Sequence, residues 1–234
     1  MIESILSEPR IVVAFSMLAI ASVMDLKNRE VHDLVWIVFG SVGALLYLFE
    51  PTLTRDLMHL LFASAISAPM AYLAYRTGLF GGADALAIVA LTIILPSYEG
   101  SNMLHTIAPL TIMTNAAIFA CLFLIVNVAR NTLSLAKGVV LFADFKESKW
   151  NKMLAFVLGY KANKPTYAYS IEMEYAGGKK FDFALKNVEK TDYCARPGSW
   201  VMAGLPFIVY LFAGLIAMVF IGDIMMSLMS KFIR

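Results

Sequence analysis

Six long apolar stretches recur along the chain, at residues 11–24, 34–49, 57–75, 83–95, 107–129 and 201–221, with short polar segments between most of them. A helix that crosses a bilayer needs about 20 mostly apolar residues, so the pattern predicts six transmembrane helices. The first and fourth runs are short, and each carries an aspartate at one end. Asp25 closes the first, and Asp84 stands at the mouth of the fourth behind Gly81 and Gly82. Helices that stop where a wet site begins have this form.

Between 131 and 197 the pattern changes: ten lysines appear and long apolar runs cease. Residues 148–158 have helical spacing with Gly159 as a stop. Residues 167–175 alternate like a half-buried strand, 176–179 supply a turn, and 181–185 resume the alternation, which predicts a β-hairpin. The fold class expected is an all-α polytopic membrane protein with a small α+β cytosolic domain inserted between helices five and six. The corresponding division is a membrane domain over 1–130, the insert over 131–198, and the sixth helix with its tail over 199–234. Trp200 is expected at the headgroup level, and Gly204 and Pro206 are expected to loosen the start of helix six. The lysines of the insert can be a solvated surface or can rest on anionic headgroups.

Composition agrees with the membrane assignment. The 234 residues are 60% hydrophobic and 15% charged, with a mean hydropathy of +0.73, which excludes an ordinary soluble domain. A net charge of +2 without basic-aromatic interleaving gives no reason to expect nucleic acid. Cys121 and Cys194 form neither a disulfide framework nor a paired metal motif. Glu3 and Glu8 precede the first run and no small-residue cleavage site follows it, so that run is expected to be retained. Lys27 and Arg29, Arg76, and Arg130 follow runs one, three and five, whereas Arg55 is the basic residue in the loops near Glu50 and Glu99. The positive-inside rule then puts Asp25 and Asp84 at the cytoplasmic face, with Arg10, Lys231 and Arg234 counting against it.

An aspartate at membrane depth is costly to desolvate and is by default a sign of function. Two carboxyls within about 3 Å share a proton, so one can act as base while the other acts as acid. Gly81 and Gly82 lack a Cβ and let a substrate backbone approach Asp84. Each acid also has a structural alternative: Asp84 as a helix N-terminal acid, and Asp25 as the partner of Lys27 or Arg29. His32 and Asp33 lack the ligand spacing of a metal site, so neither metal nor cofactor is expected. His59 and His105 fall near the outer face, as does Asp223 at the end of helix six. No GxSxG elbow offers a serine mechanism. From the residues alone, a small proton-coupled transporter with buried acids stays open as an alternative to a dyad of aspartates.

"GGAD" at 81–84 resembles the GxGD signature of intramembrane aspartyl proteases, with Ala83 where many members have glycine. "DLKNREVHD" at 25–33 resembles the segment after the first catalytic aspartate of type IV prepilin peptidases. With "GLPFIVYLFAGLI" at 204–216 and the insert before it, the chain is similar to the archaeal preflagellin peptidases over essentially its whole length. The resemblance implies a multi-pass enzyme of the cytoplasmic membrane that removes short basic leader peptides from preflagellin or pilin-like precursors. It also implies Asp25 and Asp84 as the catalytic pair, and Gly81, Gly82 and Ala83 as motif residues at the substrate approach. Glu30 and Asp33, beside Asp25, are candidates to attract the leader's positive charge. The bifunctional bacterial enzymes carry paired cysteines in an N-terminal region and also methylate the new terminus. This chain shows neither feature, so methyl transfer is not expected.

Overall fold

The computed structural model describes residues 8–100, 102–175, 178–183 and 192–232. They fall into two compact units, Met1–Phe119 with Pro206–Arg234, and Ala120–Leu205. The first unit contains α1 (Pro9–Asn28), α2 (Asp33–Leu46) with a 3-10 turn at Tyr47–Phe49, α3 (Leu53–Arg76) and α4 (Gly82–Ile94). It also holds the start of α5 (Ala108–Ala136), then α7 (Phe207–Phe220) and α8 (Ile224–Phe232). The second unit holds the end of α5, α6 (Lys149–Leu158) and five short strands.

In the first unit, Pro9 occupies the opening of α1, where a missing N–H costs nothing. Ile11, Ala14, Met17, Leu18, Ala21 and Ser22 then recur at helical spacing and are buried. α4 is the innermost helix, with Ala87, Ile88, Ala90, Leu91 and Ile94 buried, and it packs on α1, α2 and α3. At one end of the unit, Arg10 joins three elements. Its Nε donates to Glu50 Oε1 (3.0 Å), its Nη1 donates to the Ile94 carbonyl (2.9 Å), and its guanidinium lies 3.9 Å from the centre of the Tyr47 ring. The charge that ran against the positive-inside count is thus satisfied by local partners. α7 meets α5 without a side chain between them at Gly214, where an added Cβ would overlap the Ile112 carbonyl and stand 3.0 Å from Ala116 N. A Gly214→Val protein is expected to lose about 1–3 kcal/mol through overpacking, read as a lower midpoint of thermal unfolding in detergent.

By length and composition α1, α3 and α5 can each cross a bilayer, and α7 with α8 can form a fourth span bent by 52°. The protein is therefore a largely helical membrane protein. α2 and α4 fall short of that length: the 13 residues of α4 extend about 20 Å against a hydrocarbon core of about 30 Å. The bend falls at Gly222 and Asp223, and Asp223 has a local task there. Its Oδ1 accepts from Met226 N (3.1 Å), while its own N–H donates to the Asn102 carbonyl (3.1 Å).

In the second unit β1 (Tyr160–Ala162), β5 (Ser199–Ala203) and β2 (Ala168–Ser170) form an antiparallel sheet with β5 in the middle. β3 (Glu172–Tyr175) and β4 (Gly178–Phe181) form a hairpin where one is expected, but its second strand opens at Gly178, inside the expected turn, and ends at Phe181, where that strand was expected to begin. The residues of its turn at 176–177, and the end of its expected second strand at 184–185, lie outside the described residues. α6 starts at an Ser148 cap whose side chain accepts from Asn151 N, and it stops at Gly159 as expected. A Cβ at Gly159 would come within 2.8 Å of the Val201 carbonyl, so glycine lets the helix end lie against β5.

Three expectations are corrected here. Helix six was expected from Val201, but Ser199–Ala203 is a strand and the helix begins at Phe207. A short apolar run does not distinguish the two states, and the backbone partners offered by β1 and β2 decide for strand. Trp200 is not at an exposed headgroup level. It is fully buried, stacked on Phe142 at 5.0 Å, and its Nε1 donates to the Leu141 carbonyl. The continuous strand expected over 167–175 is divided at Ile171 between two sheets.

Glu147 links α6 to the hairpin: its carboxylate accepts from Asn151 Nδ2 (2.7 Å) and from Phe181 N (2.9 Å). The Asn151 hydrogen bond, followed by the Phe181 N–H, holds its pKa below the ordinary glutamate value of 4.5. A group with a depressed folded pKa stabilises above its unfolded value and loses that contribution as pH falls through the folded one. Protection of the Phe181 amide from hydrogen exchange is therefore expected to drop below about pH 4.5, and Glu147→Gln is expected to flatten that dependence.

Candidate active site

The chain turns sharply after α1. Arg29 adopts the left-handed conformation (φ 59°) and its N–H donates to the Asp25 carbonyl (2.9 Å). Asp25 is thus held on the last turn of α1, with its side chain partly buried. Asp84 is the third residue of α4, and its Oδ2 accepts from Gly81 N (3.0 Å). This is one half of a capping box, the half that a glycine at the cap leaves available. The structural alternative for Asp84 is therefore real, and it occupies one carboxylate oxygen.

The two helix ends come together at α7. Ser22 Oγ donates to the Ile208 carbonyl (3.4 Å), and the Phe80 ring lies 4.6 Å from the Phe207 ring. Met24, Phe80, Ala83, Phe207 and Tyr210 pack on the same core. The C-terminal end of α1 and the N-terminal end of α4 consequently lie on one side of the unit, and Asp84 is within electrostatic reach of Asp25. Arg29 is within electrostatic reach of both Asp25 and the Tyr210 hydroxyl. Two carboxyls and a guanidinium at one end of an apolar bundle can bind water, exchange protons and hold a peptide group.

The remaining candidates are placed as follows. Gly81 and Gly82 are partly buried at the start of α4, as is Ala83. Glu30 and Asp33 are exposed on the connection from α1 to α2, with Asp33 in the first turn of α2. His32 caps α2, its Nδ1 accepting from Leu34 N (3.3 Å). Among the described residues no three His, Cys, Asp or Glu side chains gather as metal ligands would. Sequence reasoning missed Tyr210 and the Phe80–Phe207 pair. A hydroxyl within an otherwise apolar helix marks Tyr210, but nothing in sequence spacing pairs two phenylalanines more than a hundred residues apart.

The sequence profile of the type IV leader peptidase family matches residues 12–126, a stretch that includes both aspartates. A preflagellin peptidase of Methanocaldococcus jannaschii is 25% identical over 222 residues, which cover 88% of this chain and 91% of that protein. A preflagellin peptidase of Methanococcus voltae is 25% identical over 234 residues, which cover 90% and 94%. The protein is a peptidase, similar over residues 12–126 to the type IV leader peptidase family and over most of its length to preflagellin peptidases.

Proposed function

We propose that this peptidase is a membrane aspartyl endopeptidase that cleaves short, positively charged leaders from preflagellin or pilin-like precursors at the cytoplasmic face. The observation that carries the reading is that the end of α1 bearing Asp25 and the start of α4 bearing Asp84 both pack against α7 at one end of an apolar bundle. In this reading α2 and α4 complete six spans, the cytoplasmic side being the one that holds Lys27, Arg29 and Arg76. One carboxylate takes a proton from water as it attacks the scissile carbonyl, and the other, protonated, polarises that carbonyl and later delivers a proton to the leaving amine. Gly81 and Gly82 admit the extended substrate backbone, with Ala83 at the same approach. Arg29 holds Asp25 in place, and Glu30 and Asp33 draw the basic leader towards it. The names of the two relatives support the substrate class, and the positive-inside count supports the face.

The test is direct. Membranes containing the protein are incubated with a full-length preflagellin precursor, and the product is read by gel mobility and N-terminal sequencing. A new N-terminus just after the basic leader is expected. An intact precursor under conditions in which an authentic preflagellin peptidase cuts it overturns the reading. Acidic transporters remain the other class, but no observation in the structure favours one.

A further inference from the structure

α6 carries an apolar stripe on its outer side. Trp150, Met153 and Leu154 are 72%, 49% and 42% exposed, and with Val157 they recur at spacings of three and four, on one helical face. The opposite side of the helix is used up within the unit, where Ala155 is fully buried. Lys149 and Lys152 lie on the same helix as the stripe. An exposed Trp–Met–Leu face flanked by Lys149, about 90° around the helix from it, is what a helix lying in a bilayer surface presents, and it is poorly suited to water.

Where α6 is anchored identifies what covers the stripe. Asn131 is buried in α5 and its Nδ2 donates to the carbonyls of Phe156 and Gly159 (2.8 Å each). Asn127, one turn earlier and also buried, donates to those of Val157 (3.3 Å) and Leu158 (3.0 Å). Four carbonyls at the end of α6 are thereby fixed to two residues of α5 that flank Arg130. Arg130 is the first charged residue after the apolar run 107–129, and its guanidinium lies 3.9 Å from the centre of the Tyr160 ring just beyond α6. A helix that spans a bilayer changes from apolar to charged at the headgroup level. The end of α6 is therefore tied to α5 at that level.

We infer that α6 lies in the surface of the bilayer that α5 crosses, with Trp150, Met153 and Leu154 among the acyl chain ends and Lys149 on anionic lipid headgroups. The inference goes beyond the assigned peptidase activity and does not depend on which precursor is cut. It resolves the two readings that the lysines allow in favour of lipid for this helix.

The experiment uses the full chain with Cys121→Ser, Cys194→Ser and Met153→Cys, labelled at position 153 with an environment-sensitive fluorophore. The protein is reconstituted in phosphatidylcholine vesicles with and without phosphatidylglycerol. Blue-shifted emission and strong quenching by a lipid-borne nitroxide are expected in the anionic vesicles, with a several-fold loss of quenching in a Lys149→Glu background. In the otherwise unmodified chain, brominated phosphatidylglycerol is expected to quench a tryptophan component that disappears in Trp150→Phe, which covers the case in which the cysteine variants fold poorly. Full access to aqueous iodide in the anionic vesicles overturns the inference. So does protection that rises with the protein-to-lipid ratio without lipid quenching, which assigns the stripe to a second copy or another protein.

Discussion

An Asp84→Asn protein is expected to leave a preflagellin precursor essentially uncut, with the initial cleavage rate lowered by about 10²–10⁴-fold, the range for loss of a positioned acid or base. Asparagine is the informative replacement because of the geometry at the start of α4. Its amide oxygen can still accept the Gly81 N–H, so the half capping box survives while the titratable proton is lost. Asp84→Ala removes both and is expected to add a destabilisation of about 0.5–2 kcal/mol, typical of a lost cap. Asp25→Asn is expected to match Asp84→Asn in rate, and the double variant to be hardly worse than either, since groups that act as a unit are strongly non-additive. The measurement is a time course of precursor processing at equal amounts of membrane-inserted protein. A normal rate in either single asparagine variant removes the two-carboxyl mechanism, and a product of the two losses in the double variant would make the acids independent.

Trp200→Ala is expected to cost about 3–5 kcal/mol, the range for deleting a fully buried aromatic side chain. The indole stacks on Phe142 and meets the Phe181 ring at 5.6 Å with the planes at 81°, so its removal leaves a hole facing two rings. It also orphans the Leu141 carbonyl that the Nε1 satisfies at 3.1 Å. Its backbone N–H donates to Glu172 Oε1 (2.6 Å), and that same residue's Oε2 accepts from Lys179 Nζ (3.0 Å), so β5 is tied to the hairpin through one carboxylate. Hydrogen exchange of the full chain should show protection lost across β1, β2 and β5, with α1 and α4 unchanged. Trp200→Phe, which keeps most of the ring area and loses only the donor, is expected to cost markedly less. An unchanged exchange pattern in Trp200→Ala would mean that this residue does not organise the sheet.

Much of this was legible in the chain because it depended on local signals. Ser148 and Gly159 mark the two ends of α6, and the alternation over 167–175 and 181–185 marks a hairpin whose strands fall at 172–175 and 178–181. The aspartates stood out because a charge in an apolar run has few cheap explanations. The strand at Ser199–Ala203 was not legible, since Trp-Val-Met has no period of its own and the sheet that claims it is formed by residues 31 to 41 positions earlier. The meeting of α1 and α4 at α7 was legible only in part. The distribution of lysine and arginine predicts both acids at one face, whereas the pairing of Phe80 with Phe207 arises from packing. The shortness of α4 could be read, but its innermost position could not.

The hydrogen bond from Gly81 to Asp84 has one further implication. The titratable carboxyl of Asp84 and the tie that fastens the opening turn of α4 are the same chemical group, so a proton on Oδ2 would remove the acceptor of the Gly81 N–H and slacken that turn. Uptake and release of a proton there would loosen and refasten the backbone at Gly81, directly ahead of the helix.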